Sequence, residues 1–364
     1  MDLQLLNRTL ADHGQPPFRA RQVWAWTAHG AGSYAEMTDL PEALRETLLR
    51  ELPFSSLALQ REARARDGTV KALFATADGH PLEAVMMRYA PPRPSGRRPG
   101  GPGGRARVPA RSAGGSPRAS MCLSSQSGCP LTCTFCATGS MRFARNLTAS
   151  EILDQALHFR RRDPLADPRL THCVFMGMGE PMLNLDNVLA ACERLPDLGI
   201  SHRRTAISTV GWIPGIERLA EQEMPLRLAV SLHAAEDELR SQLMPVNERF
   251  PLADVIDACR SFYARKRRRV FVEYVMLAHV NDRYEQAAAL ASALSGAHER
   301  GRSIFKVNLI PYNPAGTATP YRSSSEQAIA AFRAVLQARG IPTTVRLTRG
   351  REIAAACGQL AARG

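Results

Sequence analysis

The sequence lacks any run of 18 or more apolar residues, the length that a membrane-spanning helix requires. Its first residues, 1–4, also lack the basic and then apolar pattern of a secretory signal. We therefore expect a cytoplasmic protein with no membrane partner. Its eight cysteines are then expected to be reduced, and to be available for metal binding or catalysis more than for structural disulfides.

Acidic residues are scarce relative to basic ones. The chain has 34 Asp and Glu against 47 Lys and Arg, which gives a net charge of +13. Residues 93–118 hold seven arginines and no acid, and without those seven charges the chain still carries about +6. A positive excess of this size favours a polyanionic partner, most simply nucleic acid.

Composition divides the chain into five segments. We expect a helical N-terminal accessory domain that contacts RNA (1–50), a β-hairpin linker (51–89), a disordered insertion rich in Pro, Gly, Ser and Arg (90–119), the main domain (120–349) and a mobile C-terminal tail (350–364). The first segment also fits a small bundle with Trp24 or Trp26 in its core. The insertion is either inert or a basic arm that follows RNA phosphates.

The main domain alternates strands and helices. Six short apolar or β-branched runs, at 121–125, 173–177, 204–208, 226–231, 270–275 and 305–310, are separated by helical stretches. Such alternation predicts an α/β fold in which parallel strands form a partial (βα)6 barrel. In barrels of this kind the chemistry lies at the carboxyl ends of the strands.

Three cysteines, Cys129, Cys133 and Cys136, follow the first barrel strand. Three thiolates can hold three irons of a [4Fe–4S] cluster, which leaves the fourth iron open to the amine and carboxylate of S-adenosylmethionine (SAM). A structural zinc site is the alternative, but it needs four closed ligands, and no second Cys-x-x-Cys or His-x-His pair lies nearby. The spacing therefore favours the open cluster.

Polar or glycine residues follow several of the other strands. The candidates for SAM binding are Gly179, Glu180, Ser208, Ser231, Leu232, His233 and Asn313. Glycine lets the backbone approach a ligand closely, and a carboxylate such as Glu180 can accept the ammonium group of SAM. Each residue alone could be structural, but successive strand ends share one rim of the barrel.

The basic run at 265–269 joins a helix to a strand. Cations at a helix C-terminus interact favourably with the helix dipole, which is the simplest explanation of the run. Contact with RNA phosphates is the alternative.

Motifs along the chain resemble those of the RlmN family of radical SAM RNA adenine-C2 methyltransferases. They are residues 122–129, the cysteine triplet, 145–148, 177–181, 231–233, 348–350 and 356–360. The resemblance covers the chain from about Phe18, apart from residues 90–119.

The resemblance implies a radical SAM barrel with a [4Fe–4S] cluster and two SAM molecules consumed per turnover. It implies that Cys357 takes a methyl group from one SAM, and that a 5′-deoxyadenosyl radical from the second activates this methyl for attack on C2. Cys122 then forms a disulfide with Cys357 and releases the product. Glu83 matches the proton acceptor of the family, although the insertion at 90–119 separates it from Cys122.

The implied partners are 23S rRNA, tRNA and an electron donor such as flavodoxin or ferredoxin, with the enzyme a monomer. A Cfr-type adenine-C8 methyltransferase, which uses the same two cysteines, is one alternative. A non-catalytic RNA-binding protein with a structural metal is another. The remaining cysteines, Cys173, Cys192 and Cys259, lie on apolar patterns and are expected in the core.

Overall fold

The computed structural model describes residues 1–89, 118–162, 169–296, 298–299, 301–314 and 320–361. Three helices come first: α1 (Leu3–Asp12), α2 (Phe18–His29) and α3 (Glu42–Glu51). The Asp2 carboxylate caps α1 by accepting the backbone N–H groups of Gln4 and Leu5. These helices bury a small apolar cluster of their own. Trp24 packs instead into the main core, and its indole N–H donates to Asp197 at 2.7 Å.

Three antiparallel strands follow: β1 (Leu57–Arg64), β2 (Val70–Thr76) and β3 (Pro81–Tyr89). The predicted hairpin is confirmed as the β2–β3 pair. It is more than a linker, because β3 pairs with β4 (Arg118–Cys122) and thereby extends the main sheet, with Val85 opposite Cys122. Most of the predicted disordered insertion, residues 90–117, lies outside the described residues. Its last two residues belong to β4, so the main domain begins at Arg118.

Parallel strands continue the same sheet in the order β4-β7-β8-β9-β10-β13-β14. The strands after β4 are β7 (Arg169–Phe175), β8 (Thr205–Thr209), β9 (Arg227–Ser231), β10 (Val270–Met276), β13 (Phe305–Pro311) and β14 (Thr343–Val345). The predicted α/β architecture is confirmed. Strand β14 was not predicted and adds a seventh parallel strand.

Helices alternate with these strands and cover the sheet. They are α4 (Ala149–Arg162), α5 (Leu185–Arg194), α6 (Ile213–Glu221), α7 (Asp237–Leu243), α8 (Leu252–Lys266), α9 (Tyr284–Ala293) and α10 (Glu326–Ala338). Their apolar faces and the strands form one large core. In the described ranges, no helix combines the length and apolar character needed to cross a membrane.

Two short ladders complete the fold. One pairs β5 (Gln126–Ser127) with β6 (Arg145–Asn146), and the other pairs β11 (His298–Glu299) with β12 (Arg302–Ser303). The first ladder closes the loop that carries the cysteine triplet. It therefore fixes both ends of that loop beside the carboxyl end of β4.

Candidate active site

A cavity of about 160 Å³ opens at the carboxyl ends of the parallel strands. It brings together several predicted site residues, namely Cys136, Gly179, Glu180, Ser208, Ser231, His233 and Cys357. A second, smaller cavity of about 30 Å³ adjoins it and is lined by Cys122, Asn313 and again Cys357. Arg346 and Met176 line both cavities, so the two spaces share a wall.

The cysteine triplet lies on a tightly packed loop. Gly128 has φ +74° and its missing side chain leaves room for the Arg142 carbonyl, while Gly139 packs against the backbone of Cys133. Burial raises the pKa of all three thiols, and repulsion between Cys133 and its two partner thiols raises the pKa of Cys133 further. All three thiols are free, and Cys136 faces the larger cavity.

This donor set fits an iron–sulfur cluster better than a single ion. Within the described ranges, no group of three His, Cys, Asp or Glu side chains converges on a single-ion position. Three thiols on one loop are the donors that iron–sulfur clusters use, and three of them leave one iron without a protein ligand. The triplet would therefore hold such a cluster next to the cavity that Cys136 lines.

Glu180 is a buried carboxylate at the rim of this cavity. It accepts backbone N–H groups from Met182 and Val210, both at 3.0 Å, and its own N–H donates to Gln126 at 2.8 Å. Gly179 (φ +95°) packs so closely on Gln126 that an added Cβ would come within 2.5 Å. Burial raises the pKa of Glu180 to about 7, since no ion pair is formed with it in the described structure. A bound ammonium group would supply that missing charge.

His233 acts as a neutral acceptor. Its Nδ1 accepts the Val275 N–H at 3.0 Å, its ring packs edge-on against Phe135, and burial lowers its pKa to about 3. Ser208 and Ser231 line the cavity beside it. Leu232, by contrast, is fully buried and lines neither cavity, so its side chain is a core residue.

Asn313 is buried, but its amide oxygen already has partners. It accepts two hydrogen bonds from the Arg351 guanidinium, both at 3.3 Å, and it borders the smaller cavity. The sequence analysis predicted that Asn313 contacts SAM. In the structure its observed hydrogen bonds are to Arg351 of the C-terminal tail.

The two cysteines predicted to act in catalysis, Cys122 and Cys357, both line the smaller cavity. Cys122 ends β4 and is buried, and Cys357 is half-buried on the tail. Burial and the neighbouring Cys357 thiol raise the pKa of Cys122 to about 12. All eight cysteines are free, so the disulfide that the family resemblance implied is not formed in this structure. Cys173, Cys192 and Cys259 are buried, as expected of core residues.

Arg346 lines the smaller cavity together with these two cysteines. The sequence analysis did not identify it as a site residue. Its Nη1 lies 3.1 Å from Met176 Sδ and 3.6 Å from a carboxylate oxygen of buried Glu273. Cys357, Glu273 and Cys122 all raise its pKa, against the opposing effect of burial. Its position directly after a strand was the available signal, but β14 was itself not recognised.

Glu83 is buried in β3, and the alternative of an exposed strand residue is wrong. Its carboxylate forms an ion pair with Lys71 Nζ at 2.8 Å and accepts the Ala361 N–H at 3.1 Å. Lys71 also reaches the Ala354 carbonyl at 3.4 Å. Glu83 lines neither cavity but holds the tail that carries Cys357.

The tail was predicted to be mobile, but its described part is anchored. The Ala137 N–H donates to the Gly358 carbonyl at 2.8 Å, and the Thr138 hydroxyl donates to the Leu360 carbonyl at 2.6 Å. Both donors follow Cys136 directly in the chain. The tail is thus tied to the loop of the cluster cysteines, which fixes Cys357 beside the cavity.

The partial barrel and its open cysteine triplet define a radical SAM enzyme. Residues 123–291 match the radical SAM superfamily, and residues 1–52 match the ribosomal RNA large subunit methyltransferase N-terminal domain. Membership of the superfamily implies a [4Fe–4S] cluster and SAM. A crystal structure of a radical SAM methyltransferase from Sphaerobacter thermophilus superposes with a TM-score of 0.85 at 39% identity, over 100% of this chain and 98% of the other.

Two relatives match this chain over most of its length. A probable dual-specificity RNA methyltransferase RlmN of Heliobacterium modesticaldum is 44% identical over 96% of this chain and 86% of its own length. The dual-specificity RNA methyltransferase RlmN of Anaeromyxobacter sp. is 41% identical over 100% of this chain and 90% of its own. The chain therefore belongs to the RlmN family.

Proposed function

We propose that this enzyme methylates C2 of adenosine in 23S rRNA and tRNA through a methyl group carried on Cys357. The observation that carries the proposal is that Cys122 and Cys357 border one cavity, while Cys357 and the cluster cysteine Cys136 border the adjoining one. A methyl carrier must reach both SAM and RNA, and Cys357 is the thiol common to both spaces. The curated relatives are named as RNA methyltransferases, which supports RNA as the substrate.

The cofactor would be held by the residues already described. Cys129, Cys133 and Cys136 would ligate the cluster, and Glu180 would accept the ammonium group of SAM. When bound, the cluster supplies the electron that splits one SAM into methionine and a 5′-deoxyadenosyl radical. A second SAM supplies the methyl group, so that two are consumed per turnover.

The thiols of Cys357 and Cys122 carry out the remaining steps of the proposed reaction. C2 of adenine carries no lone pair that could displace a methyl group from a sulfonium, so the Cys357 thiolate accepts the methyl instead. The 5′-deoxyadenosyl radical takes a hydrogen atom from this methyl group, and the resulting carbon radical adds to C2. The adduct loses the C2 proton to a base and one electron, which the cluster would accept when bound. The Cys122 thiolate then attacks the Cys357 sulfur, and the released carbon takes up a proton to give the methylated base. The resulting disulfide must be reduced before the next turnover.

Arg346 and Glu83 serve this exchange in different ways. The Arg346 guanidinium lines the smaller cavity with both cysteines, and its charge lowers the pKa of Cys122 against the larger, opposing effect of burial. Glu83 holds the tail and is also our candidate for accepting the C2 proton. An electron donor of the flavodoxin or ferredoxin type and a monomeric enzyme complete the proposal.

Product analysis tests it. Wild-type protein with a reconstituted cluster is incubated anaerobically with SAM, a reductant and unmodified 23S rRNA or tRNA transcripts, and the digested nucleosides are separated by mass spectrometry. We expect 2-methyladenosine from wild type and from Cys259→Ala, which removes a core thiol, but none from Cys357→Ala. Formation of 8-methyladenosine alone would favour the Cfr-type reaction. Activity in Cys357→Ala would exclude the carrier role.

A further inference from the structure

A second concave surface lies at the opposite ends of the parallel strands, where each strand begins. It encloses about 680 Å³ and is lined by Arg203, Arg227, the basic run 265–269, Phe271 and Lys306, with Glu223 and Pro225. We call this surface the basic groove. It contains eight cations and one acid, and nothing in the proposed reaction uses it.

Only part of this charge is neutralised locally. In the basic run, Arg265 pairs with Glu221 at 3.3 Å, Arg267 pairs with Glu299 at 3.0 Å, and Lys266 donates to the Gln222 carbonyl. The other five cations form no ion pair within the described ranges; they are Arg203, Arg227, Arg268, Arg269 and Lys306. A helix C-terminus alone therefore does not account for the run, because Arg268 and Arg269 lie beyond the helix that ends at Lys266.

The unpaired cations carry an energetic cost. Burial, and repulsion from Arg204, lower the pKa of Arg227, while burial and repulsion from Arg227 and Arg203 lower that of Arg268. The Nε of Arg268 is also buried without a hydrogen-bond partner. Guanidinium groups that repel one another in a concave surface are stabilised when an anion enters it.

The basic groove and the active site lie at opposite ends of one face of the sheet. Side chains two residues apart on a strand point to the same side, so Arg227 shares its face with Ser231, which lines the active-site cavity. Ala229 lies between them on this face and is buried, as is Glu273 on the neighbouring strand. The core therefore separates the two surfaces, and an RNA that contacts both must pass around the outside of the protein.

The lining chemistry favours phosphate groups. The groove presents no Asn, Gln, Ser or Thr side chain among its lining residues, so nearly all of its donors are cations. Its aromatic residue, Phe271, is already flanked by Arg227 and Lys306 at 5.8 and 5.9 Å from the ring centre. Most contacts between cationic side chains and nucleic acid are made to the sugar–phosphate backbone, which carries the negative charge that this groove largely lacks.

We propose that the basic groove holds backbone phosphates of the substrate RNA at a distance from the target adenosine. This inference rests on the proposed function and adds a second contact to it: the RNA passes around the outside of the protein and is bound at the amino ends of the strands as well as at their carboxyl ends. The groove would then contribute affinity and orientation, while the reaction itself takes place at the opposite ends of the strands.

The test compares two double variants of equal charge. Arg227→Gln/Arg268→Gln neutralises two cations of the basic groove. Arg218→Gln/Arg260→Gln neutralises two exposed cations that pair with Asp186 and Asp257 elsewhere. Both proteins are prepared as full chains with cluster, and their affinities for an unmodified 23S rRNA transcript are measured over a range of salt concentrations.

For the groove variant we expect RNA binding to weaken roughly tenfold near physiological salt. Its plot of log affinity against log salt should become shallower by about 1.5, because each lost phosphate contact removes about 0.7 to 0.9 from the slope. KM should rise with kcat unchanged, since only binding is lost. The control variant should bind RNA as wild type does. Both variants should retain the wild-type melting temperature, because the groove cations repel one another and the control ion pairs are exposed, where such pairs contribute little stability.

Equal RNA affinity of the two variants would overturn the inference. So would loss of inorganic tripolyphosphate binding with RNA binding intact, which would assign the groove to a small polyphosphate instead. A wild-type protein that binds RNA but makes no methylated adenosine would contradict the proposed function alone, because the affinity comparison does not depend on turnover.

Discussion

Glu83 combines a structural role in holding the tail with a proposed catalytic role as proton acceptor. Buried between Lys71 and the Ala361 N–H, it both stabilises the tail and carries the only assigned carboxylate of the proton transfer. An amide at this position keeps an oxygen for Ala361 but cannot accept a proton.

We therefore predict that Glu83→Gln lowers the rate of RNA methylation by about a hundredfold or more, the usual loss when a general base is removed. Methylation of Cys357 by SAM should persist, because that step needs no proton from C2. The matched variant Lys71→Gln breaks the same ion pair but keeps the carboxylate. Both should lose about 2 kcal/mol in unfolding free energy.

Single-turnover kinetics and denaturant unfolding of the two variants separate the roles. A rate in Glu83→Gln no lower than that in Lys71→Gln would leave Glu83 as an anchor of the tail and remove it from catalysis.

Site residues that lie next to one another in the chain could be assigned from sequence, whereas residues that meet only after folding could not. The cysteine triplet and the Gly179–Glu180 pair are recognisable from their short spacings. Lys71 has no such local signature, because its role depends on the approach of the tail to β2 and β3. Arg346 directly follows a strand, but that strand, β14, was not recognised.

At the scale of elements, the long strands and helices were predictable and the short or tertiary ones were not. Strands β7 to β10 and β13 are five to seven residues long and mostly apolar or β-branched, which is enough for a strand pattern to be recognised. Strand β14 has three residues and is defined by its pairing with β13. Trp24 lies on a predicted helix, but it packs into the main core and donates a hydrogen bond to Asp197, which is 173 residues away in the chain.

The tail is the element on which the proposed reaction depends most. The backbone conformation of Gly350 determines the direction in which the tail leaves the main domain. Gly350 has φ +64°, and an added Cβ would come within 2.8 Å of both Thr69 Cγ2 and Ala355 Cβ. Gly14 has the same φ but open space around it, so Gly14→Ala is a matched control. Each alanine costs about 1 kcal/mol in backbone strain.

We predict that Gly350→Ala lowers RNA methylation about tenfold or more, since a displacement near 1 Å can cost a reacting group that much. Gly14→Ala should methylate RNA at the wild-type rate. The measurement compares the initial methylation rates of the two variants, with limited proteolysis of the tail as a structural readout. Equal rates for the two variants would show that the tail tolerates displacement and is not held in a reactive position.

At the scale of the whole molecule, the two ends of the parallel strands carry different chemistry. The carboxyl ends of the strands gather the thiols, Glu180 and His233, and the amino ends gather the unpaired cations of the basic groove. The net charge of +13 predicted a polyanion, but composition could not place it, because charge counts carry no position. Only the order of the strands brings Arg203, Arg227 and Lys306, which are far apart in the chain, to one end of the sheet.

The most direct measurement of the central claim uses Cys122→Ala. If Cys357 carries the methyl carbon into the bond with C2, and Cys122 is the thiol that frees it, this variant should accumulate RNA joined to Cys357 through one carbon. Mass spectrometry of the digested protein should then find an adenosine-bearing peptide that contains Cys357, and Cys173→Ala should give none. Release of free methylated adenosine by Cys122→Ala at the wild-type rate would contradict the account.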